Sequence, residues 1–405
     1  MSLKMKFAES WGLSDMMHKL FEMVANANTG ADAIKRAPIV SENTGLRCLR
    51  IGDVSQGRPF SEWGFTKTTD DDFNKYQLKA GDTIIARTGN TIGVNTYIDA
   101  ELQSVYNNGL IRIQVNQDVI HPRYFYYLVR SKGCQDFIQS IAFGTSTQPN
   151  MKIKDFLQYE FEYFDKDVQD KIIRIIDPIE EKIKLNNEIN SNLEQQAQAI
   201  FDKYLNLSEL PSGWVSSNLL DIADYLNGLA MQKYRPSDDE TGLPVLKIKE
   251  LRQGCCDSNS ELCSKNINTN YIIDDGDVIF SWSGSLLVDF WCGGKCGLNQ
   301  HLFKVSSTKY DKWFYYAWTK HHLNRFIAIA SDMATTMGHI KREELSKATV
   351  FIPPDEEYNH IGSLLAPIYN AIIWNRLENN HLASIRDTLL PKLMSGEIDL
   401  SNIDI

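Results

Sequence analysis

Little in this chain points to chemistry of its own. Its 405 residues hold no Gly-rich phosphate loop, no His-Glu-x-x-His and no Gly-x-Ser-x-Gly nucleophile elbow. Ser283-Gly284-Ser285 lacks the elbow's flanking glycines and reads as a turn. His301, His321, His322 and His339 have no repeated partner that would single one out as an acid–base group. An Asn/Asp-Pro-Pro-aromatic motif, which holds the target amine of amino-methyltransferases, is also absent: Ile352-Pro353-Pro354-Asp355 lacks both ends of it. The chain reads as non-catalytic, built to bind.

Other absences narrow the class further. No run of about 18 apolar residues exists, and Met1-Ser2-Leu3-Lys4-Met5-Lys6 has no apolar signal core, so the sequence predicts a cytoplasmic protein with no membrane partner. Positive charge is not in excess: 42 Lys and Arg face 52 Asp and Glu, and a net charge of −10 argues against a uniformly basic nucleic-acid binder. Basic residues nevertheless gather at Lys152/Lys154, Lys233/Arg235, Lys320 to Arg325 and Lys341/Arg342, either as local positive surface or as solvated faces. Cysteines number seven, five of them (Cys255, Cys256, Cys263, Cys292, Cys296) in the second half. Cys292-Gly-Gly-Lys-Cys296 plus two others has zinc-like spacing, but incidental reduced thiols are the simpler reading and no metal is assigned.

What the chain does have, it has twice. His121-Pro122-Arg123-Tyr124-Phe125-Tyr126-Tyr127 returns as Tyr310-Asp311-Lys312-Trp313-Phe314-Tyr315-Tyr316, Tyr126 recurring as Tyr315 at a shift of 189 residues. The same shift carries Asn150-Met151-Lys152 onto His339-Ile340-Lys341 and Asp177-Pro178-Ile179 onto Ala366-Pro367-Ile368. Upstream it drifts, pairing Ala80-Gly81-Asp82-Thr83-Ile84 with Asp275-Gly276-Asp277-Val278-Ile279, as loop insertions produce. Two copies are too few for a solenoid, so the repeat implies a pseudo-two-fold molecule.

Each copy reads as a mixed α/β unit followed by a long helix. Strands are expected at Leu46 to Val54, Asp82 to Arg87 and Leu110 to Val115, and again at Leu243 to Leu251, Asp277 to Trp282 and Leu302 to Val305. Amphipathic helices are expected around Pro122 to Ile138 and Lys312 to Ile329, their aromatics spaced for core packing rather than base stacking. The long helices carry a 4-3 apolar alternation: Ile176, Ile179, Ile183, Asn186, Asn190, Leu193 in one and Leu365, Ile368, Ile372, Asn375, Asn379, Leu382 in the other. Pro178 and Pro367 would kink these helices or mark their first regular turn, with Asp177 as an N-cap and Ser395-Gly396 as the final stop. If the helices pair antiparallel, Asn186 faces Asn379 and Asn190 faces Asn375; the alternative is that these positions turn to solvent. The segments are thus 1–164, long helix 165–206, 207–354, and long helix 355–398.

The order of these features resembles the specificity subunit of type I restriction-modification systems. The carriers are the duplication, Gly213-Trp214 with Leu219-Leu220-Asp221-Ile222 to Gly228, the Gly81-Asp82 and Gly276-Asp277 strands, Asn299-Gln300-His301-Leu302, the Gly144-Thr145 to Lys152 loop and the Leu393-Met394-Ser395-Gly396-Glu397-Ile398 ending. It covers nearly the whole chain. The first copy departs from it, with only Trp11-Gly12 at its opening and Asn107-Asn108-Gly109-Leu110 opposite Asn-Gln-His-Leu, where two domains reading different sequences would differ.

The resemblance implies an α+β protein: two pseudo-two-fold-related α/β target-recognition domains separated by two long antiparallel helices forming a coiled coil. It implies a bipartite double-stranded DNA target, modification subunits that methylate adenine with S-adenosylmethionine, and restriction subunits that use ATP and Mg, with no cofactor on this chain. A regular helix of about 27 residues would span ~40 Å, close to the ~34–36 Å repeat of DNA. Outer apolar residues (Ile175, Leu185, Ile189, Phe201; Leu364, Ile373, Leu377, Leu390) would dock modification subunits. Candidate DNA contacts are Thr88, Asn90, Thr145, Ser146, Gln148, Ser283, Ser285, Thr335, Thr336 and His339, with Arg123, Lys152, Lys341 and Arg342 positioning the backbone. The competing reading of a duplicated protein-binding adaptor rests on the acidic net charge.

Overall fold

The computed structural model describes residues 17–142, 149–332, 339–398 and 400. The chain forms two compact units, unit 1 from residues 1–179 and 384–405 and unit 2 from residues 180–383.

Unit 1 opens with β1 (Met17–Lys19), α1 (Leu20–Met23), β2 (Val24–Thr29), β3 (Ile39–Val40) and β4 (Arg47–Leu49). It continues with α2 (Ile51–Ser55), β5 (Gly64–Thr66), α3 (Asp70–Tyr76), β6 (Thr83–Ala86), β7 (Asn95–Tyr97), β8 (Ser104–Tyr106) and β9 (Leu110–Val115). After α4 (Pro122–Arg130), α5 (Lys132–Ala142), α6 (Ile153–Phe156) and β10 (Glu160–Glu162), the chain enters the long helix α7 (Lys166–Tyr204). The central sheet is antiparallel in the order β2-β9-β6-β7. Strand alternation splits its side chains between two cores: Ile85, Ile111 and Ile113 meet Tyr124, Phe125 and Ile138 of the helices, while Ile84, Ala86 and Leu110 meet Cys48, Leu49 and Tyr106 of a second sheet.

Unit 2 repeats this plan with β11 (Val215–Asn218), α8 (Leu219–Ile222), β12 (Asp224–Asn227), β13 (Leu243–Leu246), α9 (Ile248–Gln253), β14 (Leu262–Cys263) and β15 (Ile272–Ile273). Next come β16 (Val278–Ser281), β17 (Leu287–Phe290), β18 (Cys296–Leu298), β19 (Leu302–Ser306), α10 (Lys312–His321), α11 (Leu323–Asp332), α12 (Glu343–Ser346), β20 (Thr349–Ile352) and the long helix α13 (Asp355–Met394). The order β12-β19-β16-β17 matches its counterpart strand for strand. The second sheets share a parallel pair, β4 with β8 and β13 with β18, but differ at the edges: β3 extends the β5 side in unit 1, and β15 pairs with β18 in unit 2.

Three expectations need correction. The strands at Leu46 to Val54 and Leu243 to Leu251 stop early and turn into α2 and α9, because Asp53 and Glu250 accept from the Arg50 and Lys247 backbone N–H groups and so cap a helix start. The helix at Pro122 to Ile138 breaks at buried Ser131, whose hydroxyl donates to Leu128 and accepts from the Cys134 N–H; its counterpart breaks at His322. Asp177 caps nothing: α7 runs on through Pro178 from a start at Lys166, and Asp177 instead binds Arg123 and Tyr127.

In unit 2 the long helices pair antiparallel. Asn186 Nδ2 donates to Asn379 Oδ1 at 2.9 Å, and Asn375 Nδ2 to Asn190 Oδ1 at 2.8 Å. Asn186 and Asn190 are both buried, and the pairing satisfies the Asn186 N–H and the Asn190 side-chain carbonyl where water cannot reach, while Asn186 Oδ1 stays buried without a partner. In unit 1, Ile172 and Ile176 of α7 share a core with Leu390, Leu393 and Leu400. Helix α13 stops before Gly396, which takes φ 66°. Phe201 and Leu390, expected on outer faces, are buried in the cores because globular packing claims those helix faces; Leu185 and Ile189 stay exposed.

Candidate nucleic-acid interface

The end of the central sheet is built the same way in both units. In unit 1 the Arg87 N–H donates to Gly109 O, its carbonyl accepts from the Met151 N–H, and Thr88 bridges to Asn150. In unit 2 the Trp282 N–H donates to His301 O, its carbonyl accepts from the Ile340 N–H, and Ser283 bridges to His339. A glycine holds the neighbouring strand against the same turn. A Cβ on Gly30 would lie 2.3 Å from the Tyr106 and Asn107 carbonyl oxygens, and one on Gly228 would lie 2.2 Å from Asn299 O.

On this shared backbone the side chains differ. In unit 1, Arg87 Nη2 donates to Asn150 Oδ1 at 2.9 Å, and Arg87 Nε is buried without a hydrogen-bond partner. In unit 2 the equivalent Trp282 spends its indole N–H on Asn227 Oδ1 at 2.9 Å. Its ring lies over Phe303 at 5.7 Å and 30°, with the His301 ring 6.0 Å away and His339 edge-on at 6.3 Å. His301 Nδ1 is buried without a partner. One unit therefore presents a guanidinium beside an amide, the other an aromatic and imidazole cluster.

Of the residues expected to touch DNA, Thr88 and Ser283 are the bridge residues of these edges, Thr88 half-buried and Ser283 buried. Asn90 is exposed and Ser285 half-buried just beyond them. His339 lies against Trp282. Thr145, Ser146, Gln148, Thr335 and Thr336 lie outside the described residues. Lys152 and Lys341 are exposed, each two residues past a bridge residue. Arg342 is exposed and donates from Nη1 to Tyr225 O at 3.4 Å.

Arg123 departs from the expected backbone contact. Its Nε donates to Asp177 at 2.8 Å, Nη1 reaches Asp99 at 3.4 Å, and the guanidinium sits 4.7 Å from the Tyr97 ring centroid. The side chain is only 15% exposed, so it clamps α4 to α7 instead of facing a ligand. Arg87, Asn150, Trp282 and His301 also sit at these edges without being among the expected DNA contacts, since Arg87 and Trp282 close strand-like runs in the sequence. The signal was in the repeat: Arg87 against Trp282 and Asn150 against His339 are unlike residues between similar flanks.

Elsewhere in unit 2, ionisable groups answer to burial. It pulls His322 down to about 4 and pushes Cys292 up to about 11, the opposite of an activated thiol. Among the described residues no group of three or more His, Cys, Asp or Glu could hold a metal ion.

The sequence model of the type I restriction modification DNA specificity domain matches this chain twice, over residues 24–195 and 211–384. The chain belongs to that family. Each specificity domain thus contains one copy of the edge described above. The chain is 24% identical over 322 residues to the type I restriction enzyme MjaIX specificity subunit of Methanocaldococcus jannaschii, covering 73% of each. It is 20% identical to the HindI specificity subunit of Haemophilus influenzae, covering 80% of this chain and 88% of that one. The crystal structure of the type I restriction-modification S subunit from M. genitalium shares the fold, with a TM-score of 0.56 at 14% identity over 96% of this chain and 97% of that one. No helix among the described residues is long and apolar enough to cross a membrane.

Proposed function

We propose that this chain is the non-catalytic DNA-recognition subunit of a type I restriction-modification complex, and that it reads a bipartite site with one specificity domain on each half. The observation that carries this reading is the twice-built sheet edge: the same backbone pairing and the same glycine contact, fitted with Arg87 and Asn150 in one domain and Trp282 and His339 in the other. A conserved mount with exchanged side chains suits two base sequences read by one architecture.

The methyl transfer and the ATP-driven cleavage belong, in this proposal, to partner subunits that hold S-adenosylmethionine, ATP and Mg. Leu185, Ile189 and Trp374, 50%, 38% and 70% exposed on the long helices, would seat a modification subunit. The helix pair would fix the unread gap between half-sites. One extra turn inserted in both helices should lengthen that gap and leave the half-sites unchanged.

Long-read mapping of methylated adenine in cells with and without this gene tests the proposal. Loss of one bipartite motif on deletion is the expected result. Unchanged methylation, together with no salt-dependent DNA affinity of the purified chain, would instead indicate a protein-binding adaptor.

A further inference from the structure

The two sheet edges differ in what they can donate. Arg87 keeps one hydrogen on Nη2 and both on Nη1 after binding Asn150. Asn150 fixes the plane of the fork, and the buried Nε leaves its Nη end as the accessible side. An arginine held in plane by a neighbouring amide is suited to a bidentate acceptor, and the O6/N7 edge of guanine in the major groove is the commonest such partner. Phosphate attraction needs no such orientation, and exposed Lys152, two residues beyond Asn150, already supplies a point charge for it. At the equivalent place in unit 2, Trp282 has a single donor and Asn227 occupies it. At that position the edge offers aromatic faces in place of a guanidinium.

We infer that Arg87, steadied by Asn150, reads a guanine in the half-site of the first specificity domain, and that the second domain makes no such contact because Trp282 stands in its place. The inference rests on the DNA-recognition reading above and assigns one base of one half-site.

The test is selection of bound duplexes from a randomised library by the full-length chain with its modification subunits, as wild type, Arg87→Ala, Arg87→Lys and Trp282→Phe. Thermal melting confirms that each variant is folded. Wild type should enrich a two-part motif. Arg87→Ala should lose a G preference of roughly 5- to 150-fold at one position of one part, with the other part intact, whereas Arg87→Lys, which still donates to O6 and N7 without the planar fork, should keep G there at a reduced preference; Trp282→Phe should keep that G. Arg87→Ala retaining the full motif would make Arg87 a phosphate contact at most and overturn the inference while leaving DNA recognition in place. A wild-type complex that enriches no motif would overturn DNA recognition itself, and the inference with it.

Discussion

Asn186 of α7 donates its side-chain amide to Asn379 of α13 at 2.9 Å, and one turn further along α7, Asn190 accepts from Asn375 at 2.8 Å. Two polar layers in an otherwise apolar seam reduce stability in exchange for a defined alignment, since a slip of one heptad would leave four amides facing aliphatic side chains. Replacing Asn186 alone with Leu removes the donor to Asn379 and should cost about 1–3 kcal/mol in thermal or urea unfolding. Replacing all four asparagines with Leu should preserve folding and loosen the alignment, read as a spread of gap lengths among selected duplexes. Outright loss of folding would contradict a role in alignment.

Gly30 and Gly228 are held to glycine by carbonyl oxygens. Alanine at either would place a Cβ 2.3 or 2.2 Å from backbone that cannot move without opening the turn. Each substitution should destabilise its own unit by about 2 kcal/mol or more, through overpacking against main chain. Gly254→Ala, where φ is 76° but nothing lies within 4 Å, should cost about 1 kcal/mol. Equal melting temperatures for all three variants would refute the close-approach argument.

His322 gives the fold a defined acid sensitivity. Burial against Trp318 holds its folded pKa at about 4, below the ordinary value of 6.5, while Nε2 meets Thr349 O at 2.8 Å. The unfolded chain therefore takes up a proton before the folded one does. The stabilisation is present above pH 6.5 and is lost as pH falls towards 4, by about 1–2 kcal/mol after allowance for solvent access. His321 shifts in the same direction and adds to the trend. Urea unfolding between pH 7 and pH 4.5 should show a smaller pH dependence in His322→Gln than in wild type.

Lys152 and Lys341 are exposed beside the two edges. Substituting either with Gln should weaken DNA binding for all sequences alike and lower the slope of log K against log salt by about 0.9. A change of sequence preference would instead assign that lysine to base reading.

The repeated frame was legible in the sequence because duplication carries its own control. The Asn186 to Asn379 pairing followed from heptad arithmetic, which depends only on residue spacing. Short-range detail was less legible. Asp53 and Glu250 cap helices within runs that look like strands, since an acidic residue inside an apolar stretch signals a cap only when the chain is seen to turn. Arg123 looked like a free cation because Asp177, its partner, lies 54 residues away in sequence. Arg87 and Trp282 each close an apparent strand, and their hydrogen bonds to Gly109 and His301 do continue the ladder; what the sequence does not show is that the next residues bridge to Asn150 and His339.

Unit 1 is interrupted in sequence and unit 2 is not. The core holding Ile172 and Ile176 also needs Leu390, Leu393 and Leu400. On the ribosome, the domain made first must therefore wait, with part of its apolar surface uncovered, until residues 390 to 400 have been made, whereas the domain made second has every residue it needs by position 383. Order of birth and order of completion are reversed. A chain truncated after residue 383 should accordingly keep the cooperative unfolding of the later domain and lose that of the earlier one.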